Sequence, residues 1–289
     1  MALYTFRIPA EAGNLRADAM VRLFLPDLPE STLRKVFDAR DVKLDGRRVP
    51  RSAPVRPGQE LRVYLPDARR ETSLDVVYED EDVLLVNKRP GLSVEADAGG
   101  GLSLTELCRQ YLGVTDPASP FPAPCHRLDN RTSGLCLFAK NGEALEVLLR
   151  VFRDRTLEKH YVCLVRGIPK PASAVCKAWL LRDEERARVR VLDAPAPGAR
   201  VILTGYETLE SGPVSRLRVH LITGRTHQIR AHLAALGHPI LGDDVYGSRD
   251  FNRAYKARSL KLCAVSLSLD TGGRLPRLDN RLFSVDPPF

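Results

Sequence analysis

Apolar and polar residues alternate along this chain in two ways, and the change between them divides it. Leu15, Ala19, Arg22 and Leu23 fall at helical spacing, and the Pro26 and Pro29 pair must end that helix. Ser31 is placed to cap a second helix with Leu33, Val36 and Phe37 as its buried stripe, which leaves Arg34, Lys35 and, just beyond, Arg40 facing solvent. From Val42 to Val49 the period drops to two on either side of Asp45-Gly46, a strong signal for a hairpin turn, and Val55 to Val63 adds a further turn and strand. Residues 67–73 are polar and aperiodic and read as a linker. Beyond them come apolar runs of strand length at Val83–Val86, Leu135–Ala139, Tyr161–Val165 and Arg216–Ile222, the last with Leu217, Val219 and Leu221 on one face. One clear helix, Glu143–Phe152, turns Leu145, Leu148 and Leu149 inward. Strands outnumber helices and short turns join most of them. That pattern predicts an α+β chain in which a mixed, mainly antiparallel sheet forms the large domain, with a small N-terminal α/β module. The expected boundaries are 13–66 for the module, 67–73 for the linker and 74–289 for the large domain. The charge-rich stretch from Arg182 to Arg190 reads as a solvated hairpin or loop.

The chain has 289 residues and a net charge of +8. Residues 14–66 carry 11 Lys+Arg against 7 Asp+Glu, so half of that excess sits in under a fifth of the length. The surplus gathers on the second helix and around the hairpin turn, in Arg34, Lys35, Arg40, Lys43, Arg47 and Arg48, as a nucleic-acid contact would require. Helix, helix and basic hairpin in about fifty residues resemble the small RNA-binding module first known from ribosomal protein S-four. An ordinary solvated face on a packing domain is the alternative.

No apolar run approaches the roughly 18 residues that span a bilayer, and the N-terminus lacks the pattern of a signal peptide, so a cytoplasmic location is expected. Six cysteines, none in a C-x-x-C pair and most inside apolar runs, read as small buried hydrophobes rather than metal ligands or disulfides. His227 and His232, five apart, are wrongly spaced for a shared metal on a helix. No metal and no cofactor are expected, nor is a glycine loop for a nucleotide present.

The chemistry gathers at His126-Arg127-Leu128-Asp129-Asn130-Arg131-Thr132-Ser133-Gly134, just before an apolar strand. Alone, an Asp in such a place is more often a turn cap than a catalyst. The whole string, however, resembles the H-R-L-D-x-x-T-S-G motif of the RluA-type pseudouridine synthases, which holds that family's essential aspartate. Four further stretches match in order over about residues 75–270: Glu79 to Gly91, Lys159 to Val165, Thr223 to Leu233, and Leu260 to Leu267. Two departures stand out, Arg89 inserted in the first turn and Cys263-Ala264 where His-Ala is common.

The resemblance implies isomerisation of uridine in RNA, with Asp129 catalytic, Arg230 its paired cation and Tyr161 stacked on the flipped base. It also gives Arg127 a role in holding the flipped nucleotide, and Ile222 and Leu262 a place in the pocket wall. A dry pocket disfavours the charge of a carboxylate, and a cation within about 4–6 Å restores it. Thr226 is expected to cap a helix whose stripe is Ile229, Leu233 and Leu236, which puts His227 and Arg230 on one adjacent face. His227 then contacts a phosphate or caps that helix. The implied partner is RNA, ribosomal before transfer RNA, and a monomer is expected. Two rivals remain at this point: a non-catalytic RNA-binding protein, and a glycosidase, which would want a second carboxylate near the first.

Overall fold

The computed structural model describes residues 2–10, 15–26, 28, 30–65, 74–96, 102–183 and 188–289. The chain divides into two compact units, Met1–Ser73 and Leu74–Phe289. The 67–73 linker expected from the sequence lies outside the described residues.

The first unit is a four-stranded antiparallel sheet in the order β1 (Ala2–Arg7), β4 (Glu60–Leu65), β2 (Val42–Leu44), β3 (Arg47–Arg48), with helices α1 (Ala17–Phe24) and α2 (Glu30–Asp38). Strand β1 precedes the 13–66 span read from the pattern, and it belongs to the unit because it pairs along its whole length with β4. Helix α1 buries Ala17, Met20 and Val21, while Leu15 and Leu23 are 39% and 60% exposed. The two leucines that mark the helical spacing therefore face solvent. Helix α2 buries Leu33, Val36 and Phe37 as its spacing requires. Ser31 falls inside its first turn rather than ahead of it, and the Ser31 side chain is outside the described residues. At the hairpin turn both Asp45 (φ 46°) and Gly46 (φ 79°) are left-handed, and the Asp45 carboxylate accepts hydrogen bonds from Glu60 N and Gln59 Nε2 at 2.8 and 2.9 Å.

The second unit is built on an 11-stranded sheet whose main path runs β11 (Arg188–Leu192), β10 (Ser173–Asp183), β12 (Arg200–Glu210), β13 (Val214–Leu221), β9 (Leu157–Arg166), β14 (Leu262–Leu269), β8 (Ser133–Ala139), β6 (Val83–Lys88), β5 (Val76–Glu79). Two short strands, β7 (Ala123–Pro124) and β15 (Leu282–Ser284), pair with β8 and β14. All neighbours are antiparallel except β8 and β14, which are parallel. Strands β6 and β8 read as unbroken apolar runs because both faces are covered. Leu84, Val86, Cys136 and Phe138 point into one core cluster, and Val83, Leu85, Leu135 and Leu137 into another.

Helix α4 (Gly142–Asp154) follows α3 (Leu104–Tyr111) and is capped by Asn141, whose side chain accepts from Ala144 N. It buries Ala144, Val147, Leu148 and Val151, not Leu149, which is 48% exposed. Beyond the site helix α5 (Gln228–Ala235) there is one short helix, α6 (Arg249–Ala254). Arg182 and Arg188 to Arg190 lie on the paired strands β10 and β11, and residues 184–187 are outside the described residues. Five of the six free cysteines are buried. Among the described residues no helix is long and apolar enough to cross a membrane.

Candidate active site

Strand β8 must pass its parallel neighbour β14 closely, and Gly134 permits it. Its φ is +111°, and a Cβ there would lie 2.2 Å from Ala264 O. The turn just before this strand holds Asp129, with Thr132 N donating to Asp129 O at 3.0 Å. A second loop braces the turn. Lys88, 1% exposed at the end of β6, donates its ammonium to Asn130 O, Leu92 O and Arg89 O at 2.9, 2.8 and 3.1 Å. Burial pushes this lysine down to about 8. Asn130 also donates to Ser93 Oγ, and Gly91 N to Asn130 O. The first motif thus supports the carboxylate without touching it.

Asp129 stands in the wall of a cavity of about 850 Å³, lined also by Arg127, Tyr161, Ile222, His227, Arg230 and Leu262. All seven catalytic and substrate-contact candidates of the sequence meet there. Arg230 Nη1 donates to Asp129 Oδ2 at 3.2 Å across 101 positions of sequence. His227 Nε2 lies 3.9 Å from the same oxygen. Tyr161 is 5% exposed, and burial, then the charge of Asp129, hold its phenol well above the usual value. Arg127 is exposed at the cavity edge, together with Arg153, Arg155 and Arg225. Arg131 faces away into an ion pair with Asp244.

Helix α5 carries the cation, but its start differs from the expectation. Thr226 is not its cap. His227 occupies that position with left-handed backbone (φ 55°) and no capping side-chain bond, and Leu236, beyond the last turn, is 41% exposed. The helix is instead anchored by Gln228, which donates to Leu203 O and Thr204 Oγ1 and accepts from Thr223 Oγ1. His232 bonds Thr204 Oγ1 at 2.9 Å and is buried apart from the cavity, so the two histidines share nothing.

Asp243 was not found from the sequence. It is 1% exposed and takes Arg230 in a two-pronged grip, Nε to Oδ2 at 2.8 Å and Nη2 to Oδ1 at 3.0 Å. Val245 N and Tyr246 N also donate to its Oδ1. Burial opposes the charge of Asp243, yet the bonds from Arg230 lower its pKa overall. Burial likewise works against Arg230, and the bonds and charge of Asp243, then those of Asp129, raise its pKa above the usual guanidinium range. The signal available was Gly242-Asp243-Asp244-Val245-Tyr246-Gly247, where glycines bracket two acids. A Cβ at Gly242 would meet Ser259 O at 1.9 Å and one at Gly247 would meet Asp243 O at 2.0 Å, so only glycine fits either end. Asp243 is not the second carboxylate a glycosidase needs, because both its oxygens are engaged and it does not line the cavity.

Comparison with known proteins agrees with this geometry. The RNA pseudouridylate synthase family model matches residues 82–235, a span that holds Asp129, Tyr161 and Arg230. The chain is 33% identical over 267 residues to ribosomal large subunit pseudouridine synthase C of Vibrio vulnificus, covering 87% of this chain and 82% of that one. Among solved structures, human RNA pseudouridylate synthase domain containing 1 is 29% identical with a TM-score of 0.58, over 75% of this chain and 91% of that one. Human RNA pseudouridylate synthase domain containing 4 is 25% identical with a TM-score of 0.60, over 74% and 88%. The chain therefore belongs to the RNA pseudouridylate synthase family, isomerases that act on uridine in RNA.

Proposed function

We propose that this enzyme converts uridines of large-subunit ribosomal RNA to pseudouridine, with Asp129 as the reacting carboxylate. The observation that carries the reading is the Asp129–Arg230 pair, 3.2 Å apart at the wall of a cavity large enough for a nucleotide. The reaction breaks the bond from the ribose to N1, turns the uracil and rejoins it through carbon 5, and needs no redox step. The carboxylate serves as nucleophile or as general base at the sugar. Arg230 holds the carboxylate by a hydrogen bond to its Oδ2, and Asp243 keeps Arg230 in place. Tyr161 stacks on the flipped uracil, which compensates part of the few kcal/mol that unstacking costs. Ile222 and Leu262 wall the base, and Arg127 holds the nucleotide out. The exposed arginines at the cavity edge, Arg153, Arg155 and Arg225, suit a phosphate backbone.

The first unit acts as an S-four-type RNA anchor in this reading. Arg34, Lys35, Arg40, Arg47 and Arg48 are exposed, Lys43 is half-buried over the Tyr64 ring, and none of the six has an ion-pair partner among the described residues. The name of the Vibrio relative supports ribosomal RNA over transfer RNA. Such a substrate sets the work in the cytoplasm, and one chain carries every residue invoked, so a monomer suffices. The test is incubation with a large-subunit ribosomal RNA transcript and mapping of pseudouridine by carbodiimide-stopped primer extension. Wild type should give discrete stops and Asp129→Asn none; equal product from the variant overturns the assignment.

A further inference from the structure

We propose that Tyr246 is a positioning residue that locks His227 as a neutral Nε2–H tautomer, so that His227 donates towards Asp129 and leaves one carboxylate oxygen for the ribose. This rests on the reading of Asp129 as the reacting group. Tyr246 lies outside the cavity lining and beyond the span matched by the family model, on the same tight loop as Asp243.

The argument is a chain of donors. Val189 N of strand β11 donates to the Tyr246 hydroxyl at 3.0 Å, and that oxygen lies 2.9 Å from His227 Nδ1. A phenol that accepts from a backbone amide has its own proton to give, and among the described residues Nδ1 is the acceptor within reach. The ring proton then belongs on Nε2, the atom 3.9 Å from Asp129 Oδ2. The opposite tautomer would leave the phenol proton without an acceptor among the described residues and turn an Nε2 lone pair towards an anion. Both disfavour it.

The ring has little freedom to choose otherwise. Its backbone is left-handed, a conformation that L residues adopt rarely and that clusters where function over-determines the chain. Its ring packs edge-on against Tyr246 at 5.6 Å, and the Arg230 guanidinium lies over the other ring at 5.4 Å. Burial lowers the imidazole pKa; the charge of Asp129 opposes this and that of Arg230 adds to it. A ring so placed presents an N–H towards Oδ2, 3.9 Å away, without adding a second full charge. Arg230 Nη1 and His227 Nε2 approach the same oxygen, Oδ2, while Oδ1 has no partner among the described residues. Tyr246 and Asp243 thus let one loop aim both donors at one side of the carboxylate and free the other side for the sugar.

The test has two arms on the full-length protein. Long-range ¹H–¹⁵N spectra of the histidines, with His227 identified by its loss in His227→Gln, should show a pyridine-type Nδ1 and a protonated Nε2. In Tyr246→Phe the same ring should become a mixture of tautomers. On a large-subunit ribosomal RNA transcript, Tyr246→Phe should lower kcat roughly tenfold with KM nearly unchanged. In a His227→Gln background, where the amide can donate without a tautomer to choose, the same change should cost less than about twofold, since the coupled partner is gone. A protonated Nδ1 in wild type, or equal costs of Tyr246→Phe in both backgrounds, overturns the proposal; equal costs would mean that Tyr246 serves only the β11 strand. Absence of product from wild type on this RNA would instead overturn the substrate reading, and the spectra would still decide the tautomer.

Discussion

Arg230 is 4% exposed and hydrogen-bonded to two carboxylates, one of them 1% exposed, whereas Arg47 and Arg48 stand in solvent on a two-residue strand with no ion-pair partner among the described residues. Both regions are basic, but their charges work in opposite ways. A buried guanidinium is tolerable only when nearly all its donors are used, and its value lies in geometry. An exposed one is almost free of cost and acts through the counterions it displaces from a polyanion. Substitutions in the first region should therefore change the chemistry, the stability or both, and those in the second should change only how binding depends on salt.

The largest expected effect is at the carboxylate itself. Asp129→Asn should lower kcat by roughly 10²–10⁴-fold, measured in single turnovers, while leaving the thermal unfolding midpoint close to wild type. Asp243→Ala comes next and should act first on stability. Leaving Arg230 buried with one partner removed should cost about 3–5 kcal/mol in denaturant titrations. Because the Asp243 pKa is lowered in the fold, its contribution is complete above the unfolded carboxylate value of 3.8 and is lost as pH falls through the lower folded value. The gap between wild type and Asp243→Ala should hence be level from pH 7 to about 5 and narrow below about 4. A gap that widened on acidification would mean that the carboxylate is not held in its charged form.

Tyr161 tests the cavity in a gentler way. Tyr161→Phe should keep most of the activity, and Tyr161→Leu should lose the roughly 1–3 kcal/mol of base stacking, read as kcat/KM. Equal losses would point to the hydroxyl instead of the ring. The smallest effect belongs to the N-terminal unit. Arg47→Gln with Arg48→Gln should flatten the slope of log affinity against log salt by roughly 0.7–0.9 per charge removed and leave single-turnover chemistry unchanged. An unaltered slope would separate the basic hairpin from RNA and end the comparison.

Much of this site was legible before any fold was known, since Asp129, Tyr161 and Arg230 lie in strings whose order along the chain is itself informative. The turn at Asp45-Gly46 was equally plain, because the left-handed geometry of a tight hairpin admits few residue pairs. Helix faces were harder to read. Leu23 and Leu149 matched the helical period yet point to solvent, since a period fixes the angle between residues and not the direction of the neighbouring sheet. Strand β1 was missed because its place depends on β4, more than fifty residues later.

By itself, then, the sequence determined the local rules: which stretches turn, which runs are apolar on both faces, and which residues carry charge or a nucleophilic oxygen. Tertiary structure alone decided which of those residues meet. Asp129 and Arg230 are neighbours because β8 and α5 converge on one cavity, and Asp243 and Tyr246 matter because a glycine-bounded loop folds back beneath them. No local pattern encodes such a meeting, since hydrogen bonds and ion pairs act over a few ångströms of space whatever the distance along the chain.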